Sequence, residues 1–222
     1  MRANKLFLFS LLLVYLLSTT SCITVITKVF FNQQGGGDYT FNFKFTQLDA
    51  LGPAFKERLI EDMEKDTSAN SRFDELGERL EGLEGISNIK TGFDVDELEL
   101  YIKFDFDDIN ALNRGFGRVF TPDSLDTGLP YFEFDGKTMI RTGRAQFGDN
   151  SLTGLLSEDE ERMEQMFQAY MRDSYYELIL QFEKRIRKYD NKSYIKEDDH
   201  TLRWRQTMAD TDKKQSVTIK LK

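Results

Sequence analysis

Apolar and polar residues alternate with a period of two along three stretches of the chain, a pattern typical of half-buried β-strands. The stretches are residues 22–32, 39–46 and 98–106, and the second carries an aromatic residue at every other position. Residues 33–38 contain three consecutive glycines, which adopt the positive φ values of tight turns without steric cost. The sequence therefore predicts a β-hairpin over residues 22–46 and a further strong strand near residue 100.

Four other segments show helix-start signals followed by apolar residues at helical spacing. Asp107 is predicted to cap the third of these helices, with Asp108 in its first turn, where a carboxylate suits the helix dipole. The predicted starts are Gly52-Pro53, Ser71, Asp107 and the capping box Ser157–Glu160. Gly82 and Gly85 are expected to end the second helix, and Gly115 and Gly117 are expected to weaken the end of the third.

The rest of the chain adds strands. Residues 86–94 are predicted as a strand, residues 131–142 as a hairpin around Asp135-Gly136, and three short strands close the chain within residues 193–221. Residues 175–189 fit both a strand and a helix, and the strand is favoured because Ser174-Tyr175-Tyr176 is a poor helix centre. Strand pairs alternating with single helices predict an α+β fold, a largely antiparallel β-sheet with amphipathic helices packed on one face.

The first 21 residues have the three parts of a secretion signal. Arg2 and Lys5 give a positive start, residues 6–17 are apolar except for Ser10, and residues 18–21 are small and polar. The apolar stretch is about 12 residues long, whereas a membrane-spanning helix needs ~20. We therefore expect residues 1–21 to be a signal peptide and residues 22–222 to form one exported domain. The alternative is an uncleaved leader that stays in the membrane.

Cys22 is the single cysteine, so no disulfide can form within one chain. The segment Ser18-Thr19-Thr20-Ser21-Cys22 resembles a lipobox, the signal peptidase II site of bacterial lipoproteins, with Thr19 where that pattern prefers leucine. The resemblance implies cleavage before Cys22 and its acylation, for example with palmitate, which would tether the domain to a membrane. Ile23 follows the cysteine, and the same resemblance then implies the periplasmic side of an outer membrane.

The region after the cysteine resembles the LppM type of bacterial lipoprotein. In that type a strand, a glycine-rich turn and an aromatic strand follow the lipidated cysteine. Phe104–Asn113 looks like the strand-to-helix junction of the same proteins, and the strand around Trp204 fits as well. The resemblance implies an α+β ectodomain at the cell envelope and assigns no functional residue.

Few side chains suggest chemistry. His200 is the single histidine and lies among acids in residues 197–200, which read as an exposed turn, so we expect a solvated residue rather than a metal ligand or general base. Asp105, Asp107 and Asp108 could bind Ca²⁺ or act as paired acids. Their spacing does not match a calcium loop, so helix capping is expected.

Two surfaces could bind a ligand or partner. The Phe41, Phe43 and Phe45 face could line an apolar pocket, although core packing is the simpler interpretation. The basic run Lys184–Lys188 could contact lipid headgroups or an acidic partner, although a solvated strand edge is expected. Gly35–Gly37 lacks the lysine and helix of a phosphate loop, so a hairpin turn is expected there.

Acidic residues exceed basic ones, with a formal net charge of −8, which makes nucleic acid a poor partner. No motif demands a cofactor or a metal. The sequence therefore favours a non-enzymatic, membrane-tethered envelope protein that binds a protein partner or helps an assembly. Two alternatives stay open: a carrier or sensor of an apolar or lipid ligand, and, ranked last, a carboxylate-based hydrolase.

Overall fold

Two β-sheets form the framework of the protein. The computed structural model describes residues 23–46, 57, 75–120, 130–142, 174–207 and 215–222. Residues 75–80 are helical (α1), and Ile109–Phe120 form a longer helix (α2). The strands are β1 Ile23–Phe31, β2 Gly37–Phe45, β3 Ile86–Asp94, β4 Glu99–Phe106, β5 Phe132–Phe134, β6 Thr138–Arg141, β7 Tyr175–Phe182, β8 Ile186–Tyr189, β9 Tyr194–Lys196, β10 Thr201–Thr207 and β11 Val217–Leu221.

The larger sheet has seven strands in the order β3-β4-β2-β1-β7-β10-β9, and the smaller has the order β5-β6-β11-β8. Every neighbouring pair is antiparallel except β1 and β7, which run parallel from Thr24 opposite Tyr175 to Phe31 opposite Phe182. The predicted α+β class with a largely antiparallel sheet is thus confirmed. Residues 175–189 are strand rather than helix, as favoured, but they form two strands, β7 and β8, which belong to different sheets.

Alternate residues of the larger sheet point to one buried face, which we call the inner face. Tyr39, Phe41 and Phe43 of β2 lie there, as the aromatic alternation predicted. The smaller sheet covers this face, with the ring of Phe132 6.0 Å from that of Phe31. Helix α2 covers it too, since Phe116 packs edge-on against Tyr39 at 5.9 Å. The core therefore lies between the larger sheet and a second layer of helix and sheet.

Helix α2 approaches the sheet closely at a glycine. A Cβ added at Gly115 would lie 2.8 Å from the ring of Phe104, so the absence of a side chain allows this contact. The sequence analysis expected Gly115 and Gly117 to weaken the helix end. Both glycines lie inside the helix, which continues to Phe120, and Gly115 allows the close packing against Phe104.

The start of α2 also differs from the prediction by one residue. The carboxylate of Asp108 accepts a hydrogen bond from the backbone N–H of Ala111 at 2.8 Å, which is the geometry of an N-cap. Asp107, predicted to be the cap, instead donates its backbone N–H to the carbonyl of Gly85 at 2.9 Å. Because the helix begins at Ile109, Asp108 lies outside the first turn, and its carboxylate satisfies one of the free N–H groups of that turn.

We therefore expect Asp108→Ala to lower the free energy of unfolding by about 1 kcal/mol, the usual cost of losing an N-cap. Asp107→Ala is the matched control, and its effect should stay within about 0.5 kcal/mol. Urea denaturation followed by circular dichroism measures both. A larger loss for Asp107→Ala than for Asp108→Ala would contradict this cap assignment.

Some of the remaining sequence predictions concern described residues, and others lie outside the described part of the chain. Leu76 and Leu80 are buried on α1, and Gly82 and Gly85 follow it with positive φ, as expected for the second helix. The 131–142 hairpin is confirmed, but the central turn residues are Gly136 and Lys137, one residue later than predicted. The helix predicted from Gly52-Pro53 lies almost wholly outside the described residues, and the capping box Ser157–Glu160 lies entirely outside them.

Candidate functional site

Strand β1 begins directly after the cysteine that the sequence analysis singled out. Cys22 itself lies outside the described residues, whereas Ile23 is the first residue of β1. This strand is the fourth of seven in the larger sheet, between β2 and β7. A group attached to Cys22 would therefore join the middle of the sheet without a spacer. Among the described helices, none is both long and apolar enough to cross a membrane.

The two ends of the larger sheet carry different groups. Phe45, Tyr175 and Thr207 lie at the end where β1 starts, as the strand registers show. The exposed turn between β3 and β4, with Asp96 and Glu97, lies at the same end. The β1–β2 turn lies at the other end, roughly 26 Å away for nine residues of extended strand.

His200 lies at the end of the sheet opposite Ile23, and it is exposed. Its Nδ1 is 2.9 Å from the carbonyl oxygen of Phe182, and its backbone N–H donates to the carboxylate of Asp198 at 2.6 Å. These contacts fix a turn rather than a catalytic group. Among the described residues, no three histidine, cysteine or acidic side chains converge to hold a metal ion.

The three predicted aspartates do not form a site together. Asp108 caps α2, whereas Asp105 accepts a hydrogen bond from Asn88 at 2.6 Å. Asp105 instead lies directly opposite Asp38 on the neighbouring strand, a pair that the sequence did not predict. Partial burial raises the pKa of Asp38, with the Asp105 charge adding to the rise and Lys28 opposing it. Among the described carboxyl groups with a shifted pKa, Asp38 has a raised pKa, whereas Asp135, Asp198 and Asp199 have lowered ones.

The basic run Lys184–Lys188 joins β7 to β8 and continues along β8. Lys184 donates to the carbonyl of Gly136 at 2.6 Å, and Arg185 forms an ion pair with Asp199. Arg187 and Lys188 are exposed on β8, which is an edge strand of the smaller sheet. This location matches the expected strand edge, where basic residues hinder pairing with another chain.

A cluster of polar side chains lies in the core between the two sheets, and we call it the polar centre. Its charged member is Arg141 at the end of β6, which is only 2% exposed. One guanidinium nitrogen, Nη2, donates to Oε1 of the buried Gln215 at 2.9 Å. Its Nε and Nη1 have no hydrogen-bond partner among the described residues, and the guanidinium lies 5.8 Å from the ring centre of Phe132.

Hydroxyl and indole groups of the larger sheet belong to the same centre. The hydroxyl of Tyr194 donates to the backbone carbonyl of Gln215 at 2.6 Å. The hydroxyls of Thr27 and Tyr39 lie close enough to interact but do not form a hydrogen bond of ordinary geometry. The indole Nε1 of Trp204 is also buried and has no hydrogen-bond partner in the described part of the chain. The indole rings contact Tyr176 and Tyr194.

The effects of these side chains on one another's pKa indicate that they lie close together. Burial raises the pKa of the Tyr39 hydroxyl well above its usual range, the neighbouring Tyr176 raises it further, and Thr27 and Arg141 act in the opposite direction. Burial likewise raises the pKa of Tyr194, against the effect of Arg141. Both tyrosines therefore stay neutral at physiological pH, and neither supplies an anion to balance the guanidinium.

No protein-family model and no curated protein matches the sequence. Among solved structures, the chain is similar to the folded domain of LppM from Mycobacterium tuberculosis, determined by NMR. The TM-score is 0.43 and the sequence identity 9%, over 91% of this chain and 90% of that chain.

The sequence analysis missed the polar centre, although one signal for Arg141 exists. In β6, Met139 and Arg141 are buried while Thr138 and Ile140 are partly exposed. Arg141 therefore occupies a position in phase with the apolar residues of its strand. An arginine at an inward position of a predicted strand is the pattern that could have marked this site.

Proposed function

We propose that the protein is a lipoprotein of the bacterial envelope, anchored by acyl chains on Cys22, with a non-enzymatic role in binding or assembly. The observation that carries this proposal is the start of β1 at Ile23, in the middle of the larger sheet. A structured domain joined to its lipid without a spacer is held against the bilayer. Two or more acyl chains supply stable attachment, since each buried CH₂ contributes about 0.8 kcal/mol.

This geometry gives the domain an orientation. The end of the sheet with Phe45 and Tyr175 would face the membrane, and the β1–β2 turn would face away from it. Exposed Asp96 and Glu97 at the membrane-facing end do not favour contact with anionic lipid. Attachment would therefore depend on the acyl chains. We propose that the domain lies on the periplasmic side of the outer membrane, because the residue after Cys22 is Ile23.

Metabolic labelling with radioactive palmitate and intact mass measurement test the anchor. We expect the protein isolated from its own membranes to carry label and to have a mass matching cleavage before Cys22 plus acyl chains. Cys22→Ala should lose all label and retain residues 1–21, because cleavage at a lipobox follows lipidation. Ser21→Ala, a conservative change at the neighbouring position, should keep both the label and the cleavage.

Each alternative outcome has a clear meaning. An unlabelled wild-type protein with the mass of the whole chain would refute the lipid anchor and identify residues 6–17 as a retained anchor. Label that persists in Cys22→Ala would place acylation elsewhere and equally refute the proposal.

A second candidate function, a carrier or sensor of an apolar or lipid ligand, is favoured by the polar centre within an aromatic core. A non-covalent lipid recovered in stoichiometric amount with the purified protein would support it. The hydrolase alternative has only the Asp38–Asp105 pair in its favour, and we rank it last.

A further inference from the structure

Arg141 places a permanent positive charge in the core, and none of the described residues pairs a carboxylate with it. A guanidinium stays protonated at any physiological pH, and burying an unpaired charge is costly. Gln215 accepts one of its hydrogen bonds, but no carboxylate in the part of the chain that the structure describes forms an ion pair with it. Arg203 and Arg205, by contrast, both lie 3.5 Å from the carboxylate of Glu177, and Arg203 also pairs with Glu197.

The unpartnered groups in the polar centre are mostly hydrogen-bond donors. Nε and Nη1 of Arg141 and Nε1 of Trp204 can only donate, and the hydroxyls of Thr27 and Tyr39 can donate as well. Gln206, two residues from Trp204 on the same face, adds one unpartnered carbonyl oxygen. Donors thus outnumber acceptors, which is the composition of a site for an oxygen-bearing anion.

We propose that the polar centre around Arg141 binds an oxyanion, namely a carboxylate or phosphate group. The planar guanidinium suits both groups, because two parallel N–H donors match two of their oxygens. Hydroxyls of Thr27 and Tyr39 would serve the remaining oxygens. The ring of Phe132, whose centre lies 5.8 Å from the guanidinium, is the nearest apolar group for the remainder of a ligand. The site does not depend on acylation of Cys22.

The chain carries its own reporter for this test. Trp204 is the single tryptophan and belongs to the polar centre, so its fluorescence responds to an occupant without background from other tryptophans. The full-length protein in non-ionic detergent is titrated with inorganic phosphate and, separately, with octyl phosphate below its micelle concentration. Chloride keeps the ionic strength constant in both series.

We expect a saturable change in Trp204 emission with at least one probe. Arg141→Met should weaken that binding roughly 10- to 100-fold, the effect of losing a charge-assisted hydrogen bond in a buried site. Arg187→Met removes an exposed arginine of β8 and should leave the affinity within about twofold. A response to inorganic phosphate identifies a free anion as the ligand, whereas a response to octyl phosphate alone identifies the head group of an amphiphile.

Tyr39→Phe keeps the ring and removes one hydroxyl, so it tests the centre without disturbing the fold. We expect about three- to tenfold weaker binding from the loss of one neutral hydrogen bond. In the ligand-free protein, Arg141→Met should melt at the same temperature as the wild type or higher, because it removes an unpaired buried charge.

Three results would overturn the proposal. The first is no saturable change in the folded wild type with either probe. The second is equal affinity in the wild type and Arg141→Met. The third is a large drop in melting temperature for ligand-free Arg141→Met, because that is the signature of a broken ion pair with an acid of the same chain. Unacylated protein should still bind, so this result and the anchor are tested separately.

Discussion

Replacing Trp204 with alanine is expected to lower the free energy of unfolding by about 3–5 kcal/mol, the usual cost of truncating a buried tryptophan. Trp204 has no exposed surface and lies in β10 between β7 and β9. Its rings contact Tyr176 at 5.9 Å and Tyr194 at 6.3 Å, so truncation opens a cavity that three strands share. Urea denaturation followed by far-ultraviolet circular dichroism measures the loss without needing the indole.

Ile195→Ala is the matched control for this experiment. Ile195 lies in β9 next to the strand of Trp204 but is 65% exposed, so its truncation should change stability by no more than about 0.5 kcal/mol. Similar losses for the two variants would show that the polar centre does not lie in a packed core.

Gly37→Ala is expected to cost about 3 kcal/mol or more, at the upper end of the range for overpacked sites. Gly37 opens β2 and pairs with both Phe31 and Phe106. A Cβ added there would lie 1.7 Å from the carbonyl oxygen of Phe30. Backbone atoms cannot yield as a flexible side chain can, so the hairpin must shift where β1 and β2 begin to pair. Thermal melting of the purified variant measures the effect.

Gly117→Ala is expected to stabilise the protein, whereas Gly37→Ala is expected to destabilise it. A Cβ at this position of α2 has room, and alanine is the better helix former by about 1 kcal/mol. We therefore expect Gly117→Ala to raise the melting temperature. A stabilising effect of Gly37→Ala would be incompatible with the observed hairpin.

The local alternation of apolar and polar residues was sufficient to predict the positions of most strands. It was not sufficient to predict which strands are neighbours in the sheets. Alternation along β2 and β4 marks which side chains turn inward, so both strands and their buried faces could be predicted. A period of two does not say which strands are neighbours. Nothing in the residues of β1 or β7 indicates that they pair in parallel, or that β5, β6, β8 and β11 separate into a second sheet.

The candidate sites show the same limit at the level of single residues. Asp107 and Asp108 are both good N-caps, and only the position at which β4 ends and α2 begins decides between them. Asp38 and Asp105 are distant in sequence and become partners only through the β2–β4 register. Arg141 is in phase with the apolar residues of β6, but its neighbours Gln215 and Tyr39 are identified only once the two sheets are packed together. Cys22 is different, because its assignment rests on a short local motif and needs no fold.

The parallel pairing of β1 with β7 also determines how long β1 must wait for its second partner during synthesis. Thr24 and its partner Tyr175 are about 150 residues apart, so at 5–20 residues per second β1 is made roughly 8–30 s before β7. During that interval β1 can pair with β2, and β4 and β3 can extend the sheet beyond β2, but the edge of β1 that pairs with β7 stays open. The open edge of β1 is then a template for pairing with other chains. Because the first of the described strands lies at the centre of its sheet, we expect that strand to need protection from other chains until β7 has been made.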